Sequence, residues 1–422
     1  MLSKLIFFGK GDVMQKKHLY FIAAIHLCND ISSGAMPAVL PFFVLNYGMD
    51  YTSMAGLMFA GSFLSSVIQP LFGYFADKTS KLWFMALGVF LTGVSLAVTG
   101  FVQDYWCIFA AITMMGIGSS IFHPEAASMV NHIAGRQKGS AMSIFSVGGN
   151  GGFGLGPLLA VFLITTFGME GLAFFGIIGV VMGAAAFFLV PMIKESADRK
   201  IAMAAQAADA DTVTGDADSS GKGDDGKNQL GKYSSIGSND WGAFGKLTAL
   251  ITFRAMVFTS LSSFLPLYCI QVLGASQPVG TATLSILSLS GILTTLIGGY
   301  FADRWGYIAV LRWGTSLLVP LLAICFFGGS IYWVYAMLLP MSLALYSTYS
   351  PFVVLGQTYL AKNIGFASGV TLGLSFSVGG VTAPFLGRYA DIFGLESVMV
   401  LIVVAAVLCA AASFMLPQPK KA

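Results

Sequence analysis

Gly73-Tyr-Phe-Ala-Asp77 recurs as Gly299-Tyr-Phe-Ala-Asp303, 226 residues further along the chain. Other segments repeat at the same spacing or one residue more: Phe167-Gly-Met-Glu170 with Phe393-Gly-Leu-Glu396, Pro124 with Pro351, and Pro157 with Pro384. Matches at one spacing over most of a chain indicate two halves that share one fold. The duplicated motif therefore predicts a molecule built from two similar lobes.

The composition is that of a multi-pass membrane protein. Hydrophobic residues make up 56% of the 422 residues and charged residues 10%, whereas soluble domains carry about 25% charged residues. The mean hydropathy is +0.80. The apolar segments far exceed the roughly 10-residue strands of a membrane barrel, which predicts an all-α protein. The net charge of +3 is too small to indicate a nucleic-acid partner. The five cysteines show no metal-ligand spacing.

Twelve apolar segments are each long enough to cross a hydrocarbon core of about 30 Å as a helix. Six of them precede a long polar segment and six follow it, so each half of the repeat holds six spans. The predicted spans cover residues 19–46, 52–76, 82–101, 105–131, 139–167, 171–192, 247–272, 280–302, 308–328, 332–359, 364–390 and 396–416.

The distribution of basic residues predicts the orientation. The two termini, the long polar segment and alternate loops hold 20 of the 22 lysines and arginines, and the intervening loops hold none. The positive-inside rule then places both termini in the cytoplasm. The polar segment is rich in Gly, Ser, Asp and Lys between residues 216 and 237, which is typical of a flexible linker. The predicted domains are a cytoplasmic N-terminus (1–18), a six-helix lobe (19–192), a cytoplasmic linker (193–246), a second six-helix lobe (247–416) and a cytoplasmic tail (417–422).

Two parallel six-helix repeats with a long linker resemble the plan of the major facilitator superfamily of transporters. The duplicated motif also resembles that superfamily's G-x-x-x-D-R-x-G loop, although Lys78 and Ser80 depart from it in the first copy. The aspartate of this motif can lie against a neighbouring helix N-terminus, where anions are favoured. The resemblance implies a latch that closes the cytoplasmic side; ordinary loop charges are the alternative. The implied gating residues are Gly73, Asp77, Lys78, Gly299, Asp303 and Arg304.

The fifth span contains glycines four residues apart, followed by proline: Gly152, Gly156 and Pro157. Such glycines let two helices approach closely in a membrane. The segment also resembles the antiporter motif of the superfamily's fifth helix, without its trailing glycines. The sequence leaves both interpretations open, helix packing and an antiport signature.

Ionisable side chains lie inside three spans: His26 and Asp30 in the first, His123 and Glu125 in the fourth, and Arg254 in the seventh. Such groups are costly within hydrocarbon unless they pair or face water, so a functional role is the default interpretation. His26 and Asp30 are four residues apart and share a helix face. A structural alternative is an ion pair between helices, such as Asp30 with Arg254.

Histidine titrates near neutral pH, and burial can raise a carboxyl towards it. Asp30, Glu125, His26 and His123 are therefore the candidate proton-coupling residues. Arg254 stays charged and is the candidate docking point for an anion or a carboxylate. Further candidates for substrate binding are Asn29, Tyr346, Tyr349 and Gln357.

The resemblance narrows at three segments: His26-x-x-Asn-Asp30, Gly116-x-Gly-Ser-Ser-x-Phe-His-Pro-Glu125, and Val147-Gly-Gly-Asn150 through Leu155-Gly-Pro-Leu-Leu159. Together they resemble the fosmidomycin-resistance family of bacterial drug exporters. The central linker is longer and more acidic here. The resemblance implies proton-driven drug efflux, and so antibiotic resistance, across a bacterial inner membrane.

The sequence therefore predicts a secondary transporter that exports a small organic compound in exchange for protons and works as a monomer. One alternative is a proton-coupled importer of a small organic anion. Another is a receptor on the same fold that transports nothing. No water-exposed nucleophile, metal cluster or phosphate loop points to an enzyme, and no cofactor or metal is expected.

Overall fold

The structure, a computed structural model, describes residues 16–49, 51–79, 82–135, 137–213 and 238–419. The predicted N-terminus, the middle of the predicted linker, Ser80 and the end of the tail lie wholly or partly outside these residues. Within them the chain forms fourteen α-helices: α1 Lys16–Tyr47, α2 Tyr51–Met58, α3 Leu64–Thr79, α4 Trp83–Val98, α5 Tyr105–Ile133, α6 Lys138–Phe167, α7 Ala173–Val213, α8 Trp241–Gln271, α9 Gln277–Trp305, α10 Tyr307–Phe327, α11 Ile331–Tyr346, α12 Tyr349–Tyr359, α13 Ile364–Phe393 and α14 Leu395–Phe414.

Each of the twelve predicted spans falls on helix. The second span is α2 and α3, joined through a π-helical turn at Phe59–Phe63, and the tenth is α11 and α12, separated by Ser347 and Thr348. Among the described residues, eight helices are long and apolar enough to cross a membrane: α5, α6, α7, α8, α9, α10, α11 with α12, and α14. The all-α, multi-pass architecture is confirmed. Helix α7 continues to Val213, well past the predicted end of its span at residue 192.

The helices form two lobes, which we call the N-lobe (α1–α7) and the C-lobe (α8–α14). Buried apolar side chains fill the interior of each lobe. The lobes meet chiefly where α3 packs on α13 and where α6 packs on α9. Large apolar side chains on the outside of the molecule, such as Phe188 on α7 and Leu289 on α9, are more than 60% exposed. Such a surface suits a lipid environment, because water penalises exposed apolar area.

Glycines on α6 allow its close packing on α1 within the N-lobe. A methyl group at Gly152 would lie 2.6 Å from the carbonyl oxygen of Leu27, and one at Gly156 would overlap the backbone of Ile31. Pro157 follows within the same unbroken helix. The packing interpretation of this glycine pair is therefore sufficient, and the geometry does not require an antiport signature.

The ends of the helices that flank the linker all lie on one face of the molecule, which we call the linker face. Contacts across this face join α3 to α13, α9 to α6, the end of α12 to Asn239 and Asp240 before α8, and α5 to α7. The linker face is the predicted cytoplasmic side.

Candidate functional site

A carboxylate and two imidazoles meet in the interior of the N-lobe. His26 Nε2 lies 3.0 Å from Asp30 Oδ2, as expected for residues one turn apart on α1. His123 reaches the other oxygen from α5, with its Nε2 3.3 Å from Asp30 Oδ1. None of the three residues is more than 8% exposed. We refer to His26, Asp30 and His123 as the Asp30 cluster.

The remaining ring nitrogens limit where the protons of the cluster can sit. His26 Nδ1 lies 2.7 Å from the backbone oxygen of Phe145, and His123 Nδ1 lies 2.7 Å from that of Ser119. A carbonyl oxygen only accepts hydrogen bonds, so both Nδ1 atoms carry a proton. Each Nε2 can then donate to Asp30 only when its ring is doubly protonated. The geometry therefore accommodates up to two imidazolium groups on one carboxylate.

Asn29 supports the carboxylate, and Thr92 lies against Asn29. Asn29 Nδ2 donates to Asp30 Oδ1 over 2.9 Å. The Thr92 hydroxyl lies 3.0 Å from Asn29 Oδ1 and 2.7 Å from the backbone oxygen of Gly88, so the two acceptors share its one hydrogen. Both side chains are fully buried. Asn29, predicted to contact substrate, uses its amide to position Asp30 in this conformation.

The Asp30 cluster is also close enough to bind a metal ion. One ligand atom from each of the three residues lies within 4.8 Å of the others. Hydrogen bonds between the rings and the carboxylate account for the same distances. We therefore assign no metal to the cluster.

Glu125 is separate from the cluster although it is only two residues from His123. Its side chain is buried, and within the described part of the chain it makes no hydrogen bond and no ion pair. The charges that act on it belong to Lys194 on α7 and Asp77 on α3. Glu125 thus lies between the Asp30 cluster and the linker face.

Arg254 on α8 is a buried cation without an acidic partner among the described residues. It is 4% exposed, and its Nε has no hydrogen-bond partner within the described part of the chain. There its guanidinium makes one hydrogen bond, from Nη2 to the backbone oxygen of Leu345 over 3.1 Å, beside the break between α11 and α12. The guanidinium lies 5.3 to 5.9 Å from the ring centres of Phe258, Tyr349 and Phe352. The ion pair with Asp30, considered from the sequence, is not formed here.

Tyr346 and Tyr349 flank this cation from either side of the same break. Tyr346 is buried and packs edge-on against Phe258. Tyr349 packs against the core of the N-lobe, although it belongs to the C-lobe, and its hydroxyl is within electrostatic range of both Asp30 and Arg254. The two predicted substrate-binding tyrosines therefore do lie beside Arg254.

Gln357 lies elsewhere, in the contact between the lobes. Its Oε1 accepts a hydrogen bond from Asn131 Nδ2, and its Nε2 donates to Ala127 O and to Ser368 Oγ. The side chain is 2% exposed. Protein groups therefore engage both ends of its amide, which argues against the predicted contact with substrate in this conformation.

The two motif aspartates make equivalent contacts across the linker face. Asp77 accepts from the backbone N–H groups of Gly365 and Phe366, over 2.6 and 2.9 Å, at the start of α13. Asp303 accepts from the N–H groups of Gly139 and Ser140, each over 2.8 Å, at the start of α6. The Ser140 hydroxyl and the Tyr307 hydroxyl also donate to Asp303. Each aspartate thus ties one lobe to a helix N-terminus of the other.

The remaining motif residues fall into two kinds. Gly73 and Gly299 lie where helices of the two lobes cross: a methyl group on either would overlap the opposite helix, at Gly365 and Ser143 respectively. Lys78 and Arg304 are exposed and contact tyrosines one turn earlier in their own helices. Lys78 Nζ lies 4.4 Å from the ring centre of Tyr74, and Arg304 Nη1 donates to the hydroxyl of Tyr300 over 3.3 Å. Their side chains make no contact with the other lobe among the described residues.

Sequence reasoning missed four contributors to these sites: Thr92, Ser119, Phe145 and Asn131. Ser119 precedes His123 by four residues, so helical spacing alone could have identified it. The other three act from separate helices, and Phe145 acts through its backbone. No pattern along the chain marks such contacts.

The fold and these sites define a multi-pass helical membrane protein of the transporter class, with two lobes around buried ionisable groups. A family model of the Major Facilitator Superfamily matches residues 22–380, and the chain belongs to that superfamily.

Relatives and solved structures agree with this assignment. The chain is 28% identical over 411 residues to an uncharacterized MFS-type transporter of Bacillus subtilis (strain 168), covering 96% of this chain and 93% of that protein. It is 27% identical over 379 residues to the Fosmidomycin resistance protein of Escherichia coli (strain K12), covering 89% and 87%. This confirms the resemblance predicted from the motifs. The crystal structure of the human organic anion transporter MFSD10 (TETRAN) superposes with a TM-score of 0.68 at 14% identity, covering 94% of this chain and 99% of that one, which supports the fold.

Proposed function

We propose that this protein is a proton-coupled antiporter that exports a small organic compound, in the manner of fosmidomycin efflux, by alternating access. The proposed location is a bacterial inner membrane, with the linker face and both termini in the cytoplasm. The observation that carries the proposal is the Asp30 cluster. Imidazole and carboxylate side chains can take up and release protons, and ionisable groups inside a membrane lobe indicate a functional role.

Protons and substrate use different lobes in this proposal. Asp30, His26 and His123 hold protons in the N-lobe, and Glu125 passes them between the cluster and the cytoplasmic side. Arg254 in the C-lobe binds the substrate, with Tyr346 and Tyr349 beside it. An uncompensated buried cation is unfavourable, so an anionic group of the substrate would stabilise it. Asn29 positions Asp30, and substrate contacts it only if this hydrogen bond opens.

The two aspartate contacts supply the cytoplasmic gate. With Asp77 bound at the start of α13 and Asp303 bound at the start of α6, the linker face is held closed. The opposite side of the molecule can then exchange protons and substrate. Both contacts must break for the lobes to rock into the inward-open state. The monomer contains both lobes and therefore the complete proposed mechanism.

Two substitutions test the proton-carrying role. Asp30→Asn and Glu125→Gln remove one titratable carboxyl each and keep the side-chain size. We expect either variant to reduce efflux of fosmidomycin from cells to nearly the level of cells that lack the gene, at unchanged protein abundance. Glu195→Gln, which changes an exposed carboxylate on α7, is the matched control and should behave as wild type. Full efflux by both buried variants would refute the assignment.

An importer of a small organic anion is the second candidate, and the unpaired Arg254 favours it. An anion that enters with protons would neutralise this cation on the way in. Oriented vesicles under an imposed pH gradient distinguish the two functions. An antiporter moves the compound against the direction of proton flow, and a symporter moves it in the same direction. A receptor without transport activity would show no flux under either gradient.

A further inference from the structure

Asn131, which is half-buried, and Gln357, which is buried, form a contact between the lobes. This contact belongs neither to the Asp30 cluster nor to the contacts of Asp77 and Asp303 with helix N-termini, which we call the aspartate latch. Asn131 lies near the end of α5 in the N-lobe, and Gln357 lies near the end of α12 in the C-lobe. Asn131 Nδ2 donates to Gln357 Oε1 over 2.5 Å. Gln357 Nε2 in turn donates to the backbone oxygen of Ala127, one turn before Asn131, over 3.2 Å.

Asn131 and Gln357 lie at nearly equivalent positions of the two halves. They are 226 residues apart, and the prolines on the same two helices, Pro124 and Pro351, are 227 residues apart. The repeat therefore places Asn131 and Gln357 within one residue of equivalent positions near the ends of α5 and α12. Nearly equivalent residues that contact each other lie close to the axis that exchanges the lobes, as the residues of a twofold interface do.

The surroundings make the pair more than a surface contact. Gln357 is 2% exposed, and its Nε2 also donates to Ser368 Oγ on α13 over 2.9 Å. Two helical turns before Gln357, Ser350 on α12 accepts a hydrogen bond from the hydroxyl of Ser143 on α6 over 2.8 Å. Both serines are fully buried. Separation of α5 from α12 would leave the Asn131 and Gln357 amides without these partners. An unpaired buried amide is unfavourable until water reaches it.

We propose that Asn131 and Gln357 form a central lock that holds the linker face closed, and that Gln357 is a gating residue rather than a substrate ligand. Asp77 and Asp303 close this face at two equivalent points, and the amide pair adds a further contact between the lobes at the ends of α5 and α12. The lock presupposes the alternating-access cycle proposed above, in which the lobes separate at this face. Opening breaks both hydrogen bonds that join the lobes through Gln357, and the bond to Ser368 stays within the C-lobe.

The test measures opening of the linker face in the full-length protein reconstituted in lipid nanodiscs. Met203→Cys on α7 and Lys246→Cys on α8 carry the spin labels. Both residues are exposed, lie on the linker side of opposite lobes and take no part in the lock or the latch. Cys28 and Cys107 are first changed to serine so that they do not react with the label, and the other three cysteines are buried. Pulsed electron resonance then gives the ratio of long (open) to short (closed) distances.

Asn131→Ala and Gln357→Ala should each raise this ratio, by roughly two- to tenfold for each hydrogen bond lost between the lobes. The double variant should have the same ratio of open to closed distances as Gln357→Ala alone, because Gln357→Ala already removes the hydrogen-bond partner of Asn131. Thr358→Ala is the matched control, since the hydroxyl of Thr358 bonds only to Val354 in its own helix and its loss should leave the ratio unchanged. Asp303→Asn serves as a reference that opens the latch.

Three results would overturn the lock. One is an unchanged ratio in Asn131→Ala and Gln357→Ala when Asp303→Asn raises it. Another is an equal rise in Thr358→Ala, which would indicate loosening of α12. The third is weaker fosmidomycin binding by Gln357→Ala at an unchanged ratio, which would return Gln357 to the substrate site. If Gln357→Ala fails to fold, the open-to-closed ratio of Asn131→Ala still tests the lock, because Asn131 is only half-buried and its loss disturbs the core less. A single distance in every variant, Asp303→Asn included, would count against alternating access and against the lock together.

Discussion

At the residue scale, Arg254 is the side chain whose environment is hardest to explain by stability alone. Three aromatic rings attract the guanidinium, but rings do not satisfy its N–H groups, and Nε has no acceptor in the segments that the structure describes. Replacement of a buried charge by an apolar side chain of similar size is often stabilising. A buried cation that lowers the stability of the fold is best explained by a role in binding a ligand. The Asp30 cluster is the opposite case, because every polar atom of its carboxylate has a partner.

We therefore expect Arg254→Met to raise the free energy of unfolding by about 1–4 kcal/mol while it abolishes substrate transport. Arg312→Met is the contrasting variant, because Arg312 donates to three backbone oxygens at and beyond the end of α14. That variant should lower stability and leave transport in place. Thermal unfolding in detergent and efflux in cells measure the two effects. A less stable Arg254→Met protein would show that the rings and Leu345 already satisfy the guanidinium.

At the element scale, the linker face is closed by pairs of helices that cross at glycine. Helix α9 approaches α6 where Gly299 meets Gly139 and Ser143, and α3 approaches α13 where Gly73 meets Gly365. The close approach brings Asp303 and Asp77 within reach of helix N-termini, where backbone N–H groups are unpaired and negative charge is favoured. The glycine and the aspartate of each motif therefore act together.

Gly299→Ala should loosen this crossing. The added methyl group would overlap Ser143 Oγ and lie 2.6 Å from the backbone oxygen of Gly139. We expect labelling of a cysteine at Ser143 from the linker side to become faster, because α6 and α9 must separate. Gly387→Ala on α13 adds the same methyl group where, apart from its own helical turn, no atom of the described residues lies within 4 Å, and labelling should stay as in the unsubstituted protein. Equal labelling of the two variants would contradict the role of the crossing.

At the scale of the whole molecule, the lobes are related by the repeat but differ in chemistry. The Asp30 cluster and Glu125 belong to the N-lobe and Arg254 to the C-lobe, whereas the latch and the central lock involve both. The prolines of the repeat show the same division. Pro124 lies between two ionisable residues, and its counterpart Pro351 lies between Ser350 and Phe352. The lobes share their architecture, and proton and substrate binding are assigned to different lobes.

Orientation is the property of the whole molecule that the basic residues predict. Green fluorescent protein fused after residue 422 should fluoresce, because it folds in the cytoplasm. Alkaline phosphatase fused in the loop at Gly274 should be active, because it requires the outer side. The same phosphatase fused after Lys362 is the control and should be inactive. Reversed activities would invert the predicted orientation and place the closed linker face outside.

The sequence by itself determined the multi-pass helical class. It also predicted twelve spans, of which eight are long and apolar enough to cross a membrane among the described residues, two similar lobes, and the aspartates that contact helix N-termini across the linker face. These properties are local or repetitive: apolar length sets a span, and a duplicated motif marks equivalent places in two lobes. Even the alignment of His26 with Asp30 follows from helical spacing. The packing role of Gly152 and Gly156 was likewise one of the two interpretations open beforehand.

Only the tertiary structure decided which groups meet. Asp30 pairs with His123 and not with Arg254, Asn29 supports the carboxylate, and Gln357 bonds to Asn131 across the lobes. These contacts join residues on different helices, and their distances depend on how α1, α5 and α12 cross. The sequence allows each side chain several possible partners, and helix packing decides which of them come within hydrogen-bonding distance. The chain sequence therefore predicts the candidates, and the packing of the lobes selects among them.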